Sequence, residues 1–138
     1  MKYLLLVYGE EDKMAQVDDL SCLAFDKSIR DSGHCVASEA LQPVATATTV
    51  RVRNGKVTVT DGPFAETKEL AAGFWLWKVR SKEEATEWLK RAPFVDTEVE
   101  IRQVFETEEF AQSDPTGELR AHEERLRAQL EEAPRKST

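Results

Sequence analysis

Leu70-Ala71-Ala72-Gly73-Phe74-Trp75-Leu76-Trp77-Lys78-Val79-Arg80 is the stretch that decides the architecture. Read as an extended strand, it sends Phe74 and Leu76 to one side and Trp75, Trp77 and Val79 to the other. Both faces are therefore apolar, and such a strand belongs in the middle of a sheet with something packed on each side. Tyr3-Leu4-Leu5-Leu6-Val7-Tyr8, closed by Gly9, reads the same way.

The neighbours of these two strands supply the remaining elements. From Glu11 to Asp31, Met14, Val17, Leu20, Leu23 and Ala24 recur at spacings of three and four, with acids early, Lys27 and Arg30 late, and Gly33 as the stop; this predicts one amphipathic helix. His34 to Leu41 lacks helical periodicity and ends at Pro43, as a strand would. Ser81-Lys82-Glu83-Glu84 has the form of a capping box ahead of Ala85, Trp88, Leu89 and Ala92, and that second helix stops at Pro93. Val99, Ile101, Gln103 and Phe105 alternate with Glu100 and Arg102 as a last strand. Between them, Thr49-Val50-Arg51-Val52-Arg53-Asn54-Gly55-Lys56-Val57-Thr58-Val59-Thr60 is a β-hairpin around a type I′ Asn-Gly turn. Its register sets Val52 against Val57 and Val50 against Val59 on one face, with Arg51 and Thr58 on the other.

With the hairpin set aside as an insertion, the order is βαββαβ, the split arrangement of ferredoxin-like α+β folds with an antiparallel sheet. Right-handed crossovers put the first and third strands at the centre, and these are the two that are apolar on both faces. Two helices cover one face only, so the Trp75 and Trp77 side or the Phe74 and Leu76 side stays bare unless something else packs there. A second copy of the sheet, forming an isologous homodimer through sheet faces, is the simplest cover; a cofactor or a different partner meets the same need.

At 138 residues the chain suits one core. Apolar residues at 41% and charged residues at 33% are ordinary for a folded domain. A net charge of -7 and a pI near 5.0 oppose nucleic acid and anionic membranes, and no Lys/Arg cluster overrides that field. Cys22 and Cys35 have neither CxxC nor metal spacing and read as reduced thiols. The opening apolar run is too short for a signal peptide and is followed by Glu10-Glu11-Asp12, so a cytoplasmic location is expected, without a membrane span. The domain is taken as residues 1–110. Residues 111–138 form a linker, Gln112 to Gly117, and a charged helix or tail in which Leu119, Leu126 and Leu130 make a thin apolar stripe, expected to be loosely docked or frayed.

Asp61-Gly62-Pro63-Phe64-Ala65-Glu66-Thr67-Lys68-Glu69 resembles the signature of the DGPF-motif branch of the YCII-related family. Glu39-Ala40-Leu41-Gln42-Pro43, Ala47-Thr48-Thr49-Val50-Arg51 and Gly73-Phe74 are similar to that family's recurrent blocks, and the likeness runs over about residues 1 to 110. The resemblance implies a dimeric α+β barrel and an association with extracytoplasmic-function sigma factors. It also implies, from some members of the wider family, lyase-type chemistry on cyclic metabolites. In smaller relatives a His on the first helix and an Asp on a nearby strand look like an acid–base dyad, but no His lies between Met14 and Arg30 here.

The residues themselves point to acid–base candidates, each with a plainer reading. Asp61, at a strand end before Gly62 and Pro63, suits a general base, and equally the turn chemistry of a hairpin exit. Glu66, Lys68 and Glu69 put a cation between acids: Lys68 and Glu66 join Asp61 as catalytic candidates, and Glu69 is a substrate-binding one, against the reading of a solvated loop. Glu39 and Arg51 are substrate-binding candidates beside Glu69; Glu39 interrupts small and apolar residues and, if inward, needs a partner such as Lys68 or Arg51, whereas at a sheet edge it simply faces water. His34 reads as a surface or capping residue, and His122 lies in the tail. The two make no zinc or haem constellation, so no cofactor is expected. Trp75, Trp77 and Trp88 read as core and interface, with an aromatic wall for a planar substrate as the alternative. Two functions remain open: a cofactor-independent enzyme or ligand-binding dimer for a small cyclic or carboxylated molecule, and a non-catalytic sensor or interaction module tied to a sigma factor.

Overall fold

In the computed structural model, which describes residues 1–15, 18–62, 70–94 and 96–132, the elements run β1 (Lys2–Gly9), α1 (Glu11–Met14), α2 (Asp19–Asp31), β2 (Cys35–Ala40), β3 (Thr48–Arg53), β4 (Lys56–Asp61), β5 (Leu70–Lys78), α3 (Lys82–Leu89), β6 (Glu98–Gln103) and α4 (Glu118–Glu132). Short 3-10 turns occupy Val44–Thr46 and Thr107–Phe110. Four strands pair antiparallel in the order β2-β5-β1-β6, and β3 and β4 pair with each other as a separate two-stranded sheet. The fold is α+β and ferredoxin-like, with the first strand and the Trp-bearing strand at its centre. By contacts the chain divides into two compact units, Met1–Gln103 and Val104–Thr138.

Register assigns every side chain of the sheet to a face. Ser38, Trp75, Leu5 and Ile101 lie in one row across the four strands, and Glu39, Phe74, Leu6 and Glu100 form the next row on the opposite face. The first face is the one the helices cover: Tyr3, Leu5, Val7, Trp75, Trp77 and Val79 are buried against Phe25, Ile29 and Ala85. Trp77, Leu5 and Ile29 are wholly enclosed, and each side chain of that size contributes about 1.5–3 kcal/mol of transfer free energy. Phe25 meets Trp75 edge-on at 5.7 Å between ring centroids. On the other face Leu4, Leu6, Phe74 and Leu76 are only half-buried in a single chain.

Three local expectations change. The single helix over 11–31 is two helices, because Asp18 starts a new one: its carboxylate accepts from the N–H groups of Leu20 (3.3 Å) and Ser21 (3.2 Å). That restart sets the phase, so Phe25 and Ile29 face the sheet while Leu20 (76% exposed) and Leu23 (65%) face outward; Val17 lies outside the described residues. The expected capping box is one-sided. Ser81 Oγ accepts from Glu84 N at 3.2 Å, but the Glu84 carboxylate turns instead to the N–H and Nε of Arg80 and to His34. Phe105 lies beyond β6 and packs on Phe110 at 5.3 Å.

The hairpin has the register read from its sequence, Val52 with Val57 and Val50 with Val59. Asn54 (φ 52°) and Gly55 (φ 75°) adopt the positive angles a type I′ turn requires. At its base Gly62 N donates to Ala47 O at 2.8 Å, and Thr49 Oγ1 donates to Gly62 O at 2.6 Å.

In the C-terminal unit, Asp114 caps the first turn of α4. Its nearly enclosed carboxylate accepts from Leu119 N (3.3 Å) and Arg120 N (2.9 Å), which holds it below the usual carboxylate range, the Arg120 backbone bond being the main cause. Thr107 Oγ1 donates to Glu124 Oε1 at 2.9 Å and ties the 3-10 turn to the helix. Leu119, Leu126 and Leu130 stay exposed, so the stripe is as thin as its sequence. Among the described residues no helix is long and apolar enough to cross a membrane.

Candidate functional site

A cleft of about 210 Å³ opens where α2 meets the β2–β5 end of the sheet, lined by Cys22, Asp26, Ser38, Glu39, Trp75 and Phe94 among others. Its position follows from one glycine. A Cβ on Gly73 would stand 2.8 Å from the Glu39 carbonyl oxygen, so β2 approaches β5 closely only because residue 73 has no side chain. Trp75 and Phe94, tilted at 34° with centroids 5.7 Å apart, give the cleft an aromatic wall.

The polar groups divide by what already engages them. Asp26 is ion-paired with Arg30 at 2.9 Å. Partial burial pushes the Cys22 thiol up, with the Asp19 and Asp18 carboxylates adding to the effect, so at neutral pH it is a protonated thiol and not a thiolate nucleophile. Glu39 is exposed on the edge strand at the rim, opposite Phe74 in register. It faces water on the opposite side of β2 from Ser38 and Trp75, and lines the rim of the cleft. Ser38, on the helix-facing side next to Trp75, adds a hydroxyl.

Of the other candidates, Asp61 ends β4 opposite Thr48, exposed and on the same face of the hairpin as Val50 and Val59. Arg51, opposite Thr58, lies on the other face, so the hairpin does not converge Arg51 and Asp61. Glu66, Lys68 and Glu69 lie outside the described residues. Among the described residues no group of three or more His, Cys, Asp or Glu side chains is arranged to hold a metal ion.

Two further clusters carry charge. His34 is a bolt: Nδ1 lies 3.2 Å from Lys78 O, Nε2 lies 3.3 Å from Glu84 Oε1, and the ring meets the edge of Trp88 at 5.8 Å. The Arg80 side chain, hydrogen-bonded to Glu84, holds the Glu84 carboxyl below its ordinary 4.5, with the Arg80 backbone N–H and the charges of Arg80 and His34 adding to it. This cluster joins the start of β2, the end of β5 and α3, where the sequence offered only a surface or capping histidine. The second is a hollow of about 420 Å³ in the C-terminal unit, lined by Phe110, Asp114, Leu119, Arg120, Glu123 and Arg127 among others. It is the larger, but its charges are already paired, Arg120 with Asp114 at 3.3 Å and Arg127 with Glu123 at 3.1 Å. The smaller cleft is the better candidate, because a carboxylate and a hydroxyl border an aromatic wall there.

The YCII-related domain matches residues 1–108. The chain is similar to an uncharacterised protein, R00369, of Rhizobium meliloti (strain 1021), 37% identical over 99 residues that cover 65% of this chain and 78% of that one.

Proposed function

Since this chain belongs to the YCII-related family, we propose that it is a cytoplasmic, DGPF-type member working as a homodimer that takes up a small cyclic metabolite in the α2–β5 cleft and acts on it, or senses it, by acid–base chemistry without a cofactor. The observation that carries this reading is a cleft walled by Trp75 and Phe94, with Ser38 beside Trp75 and the exposed Glu39 on the edge strand that borders it. A ring stacks on the wall while an exocyclic donor that projects past the β2 edge meets Glu39, whose side chain stands on the opposite face of that strand from Ser38 and Trp75. Asp61 and the Glu66, Lys68 and Glu69 segment are proposed as the second acid–base group and the charge partner for a carboxylated substrate. Two free thiols suit a reducing compartment. The half-buried Leu4, Leu6, Phe74 and Leu76 face supports pairing of sheets.

Trp75 makes the reading testable by fluorescence. Titration with a panel of small aromatic acids, cyclic ketones and lactones is expected to give saturable quenching with at least one class. Glu39→Gln should weaken that binding tenfold or more while leaving the far-UV spectrum unchanged. No response across the panel, or identical binding by the variant, sinks the proposal.

A second reading has its own observation. α4 presents Leu119, Leu126 and Leu130 at 42–78% exposure on a charged helix, as a docking helix for a regulator would. Anisotropy of a labelled extracytoplasmic-function sigma factor, titrated with the full chain and with a Leu126→Ser/Leu130→Ser variant, decides it: binding lost in the variant supports an interaction module, and no binding by either removes it.

A further inference from the structure

The cleft beside α2 has a sign. Among the described residues that line it, the ionisable side chains are Cys22, Asp26 and Glu39, and none is Lys, Arg or His. Asp26 comes from α2, and Glu39 adds a second negative charge at the rim from the far side of β2. Burial and, after it, the Asp19 and Asp18 carboxylates push the Cys22 thiol up, so the field of the first turn of α2 reaches the lining too. The counter-charge on Asp26 is Arg30, which meets Oδ2 at 2.9 Å from a side chain 58% exposed, where water screens it.

We propose that this cleft is a site for a small organic cation, a single ring bearing a protonated or quaternary nitrogen. The wall and the charge agree on that ligand. Trp75 and Phe94 bring aromatic rings whose electron-rich faces attract a cation, Trp more strongly than Phe, and a cleft bordered by charge of one sign concentrates the opposite one. Asp26 then receives the positive nitrogen, and the Ser38 hydroxyl accepts from an N–H. A carboxylated ring of the same shape meets Asp26 as a like charge, with no basic side chain of the described lining to offset it. Volume sets the size: about 210 Å³ lies below the roughly 300 Å³ at which pockets for drug-sized ligands begin, so one ring fits and a fused system does not. A ligand that also carries a carboxylate is left with Lys68, outside the described residues, as its partner.

This inference rests on the cleft being the ligand site, and one series of titrations separates the two. Benzylammonium, benzyl alcohol and benzoate carry the same ring with three different charges, and each is titrated calorimetrically into the full chain at one salt concentration. Benzylammonium is expected to bind about tenfold more tightly than benzyl alcohol, with benzoate weaker still. Asp26→Asn/Arg30→Gln leaves the net charge unchanged, so a loss of about tenfold in benzylammonium affinity there reports the Asp26 contact and not the overall field. Phe94→Leu keeps an apolar side chain while removing one ring of the wall, and should weaken the same complex with circular dichroism unchanged. Equal affinity for the three ligands, or tightest binding of benzoate, overturns the cation and leaves the cleft standing as a site. Benzylammonium binding that both variants leave untouched puts the ligand on the acidic surface and overturns the inference as well. If none of the three binds, the cleft takes no ring, and this inference and the reading it rests on fall together.

Discussion

The four-stranded sheet and the hairpin are built from the same material and meet different fates. In both, antiparallel strands alternate apolar side chains across a well-defined register. In the sheet the Trp75, Trp77, Leu5 side disappears beneath α2 and α3, whereas in the hairpin four valines remain 59–69% exposed. Local pattern decides which residues share a face, and only the element packed on that face decides what the sharing is worth. A buried aromatic contributes through transfer and close packing, while an uncovered valine contributes little beyond its strand preference.

Mutations can break or sharpen that contrast. The largest effect is expected from Trp77→Ala, which empties a fully enclosed site at the centre of the covered face and should cost about 3–5 kcal/mol in denaturant unfolding. A loss no larger than that of a surface residue would mean that the covered face is not the core. Gly73→Ala comes next: a methyl 2.8 Å from the Glu39 carbonyl oxygen forces β2 away from β5, at about 1–3 kcal/mol, and should also weaken binding in the cleft. Stability lost with binding intact would separate the strand contact from the site.

At the small end, Val50→Thr/Val59→Thr in dilute solution should change unfolding by no more than about 0.5 kcal/mol per site. A cost on the scale of Trp77 would place the hairpin inside a core and erase the comparison. Glu84→Gln tests the bolt that closes the covered layer. The Glu84 carboxyl is held below its ordinary 4.5, so its stabilisation is fully present above that value and is lost as pH falls through the lowered folded value. Thermal midpoints from pH 7 to pH 3 should therefore fall less steeply in the variant than in wild type; identical slopes would show that Arg80 and His34 contribute nothing through Glu84.

Much of the fold was legible because the signals were local and redundant. Asn54-Gly55 demands one turn type, and that turn sets the whole hairpin register. Two strands apolar on both faces mark themselves as central. The first helix was misread because Met14, Leu20 and Leu23 keep a helical spacing across a break that the Asp18 cap introduces, and spacing alone carries no phase once a helix restarts. The site was legible only in part. Glu39 stood out as a carboxylate in an apolar run, but Cys22, Ser38 and Phe94 carry no motif and meet at the cleft only because α2 and the loop after α3 fold over the same end of β5.

From its sequence alone, then, this protein has its two central strands, its hairpin register and the set of residues that share each face, because alternation and turn geometry act over a few residues. Which face the helices cover, where β2 can approach Gly73 closely enough to border a cleft, and which apolar surfaces remain bare were decided by tertiary structure. Those outcomes depend on how elements far apart in the chain compete to bury area and avoid overlap, and neither area nor overlap exists until the elements meet.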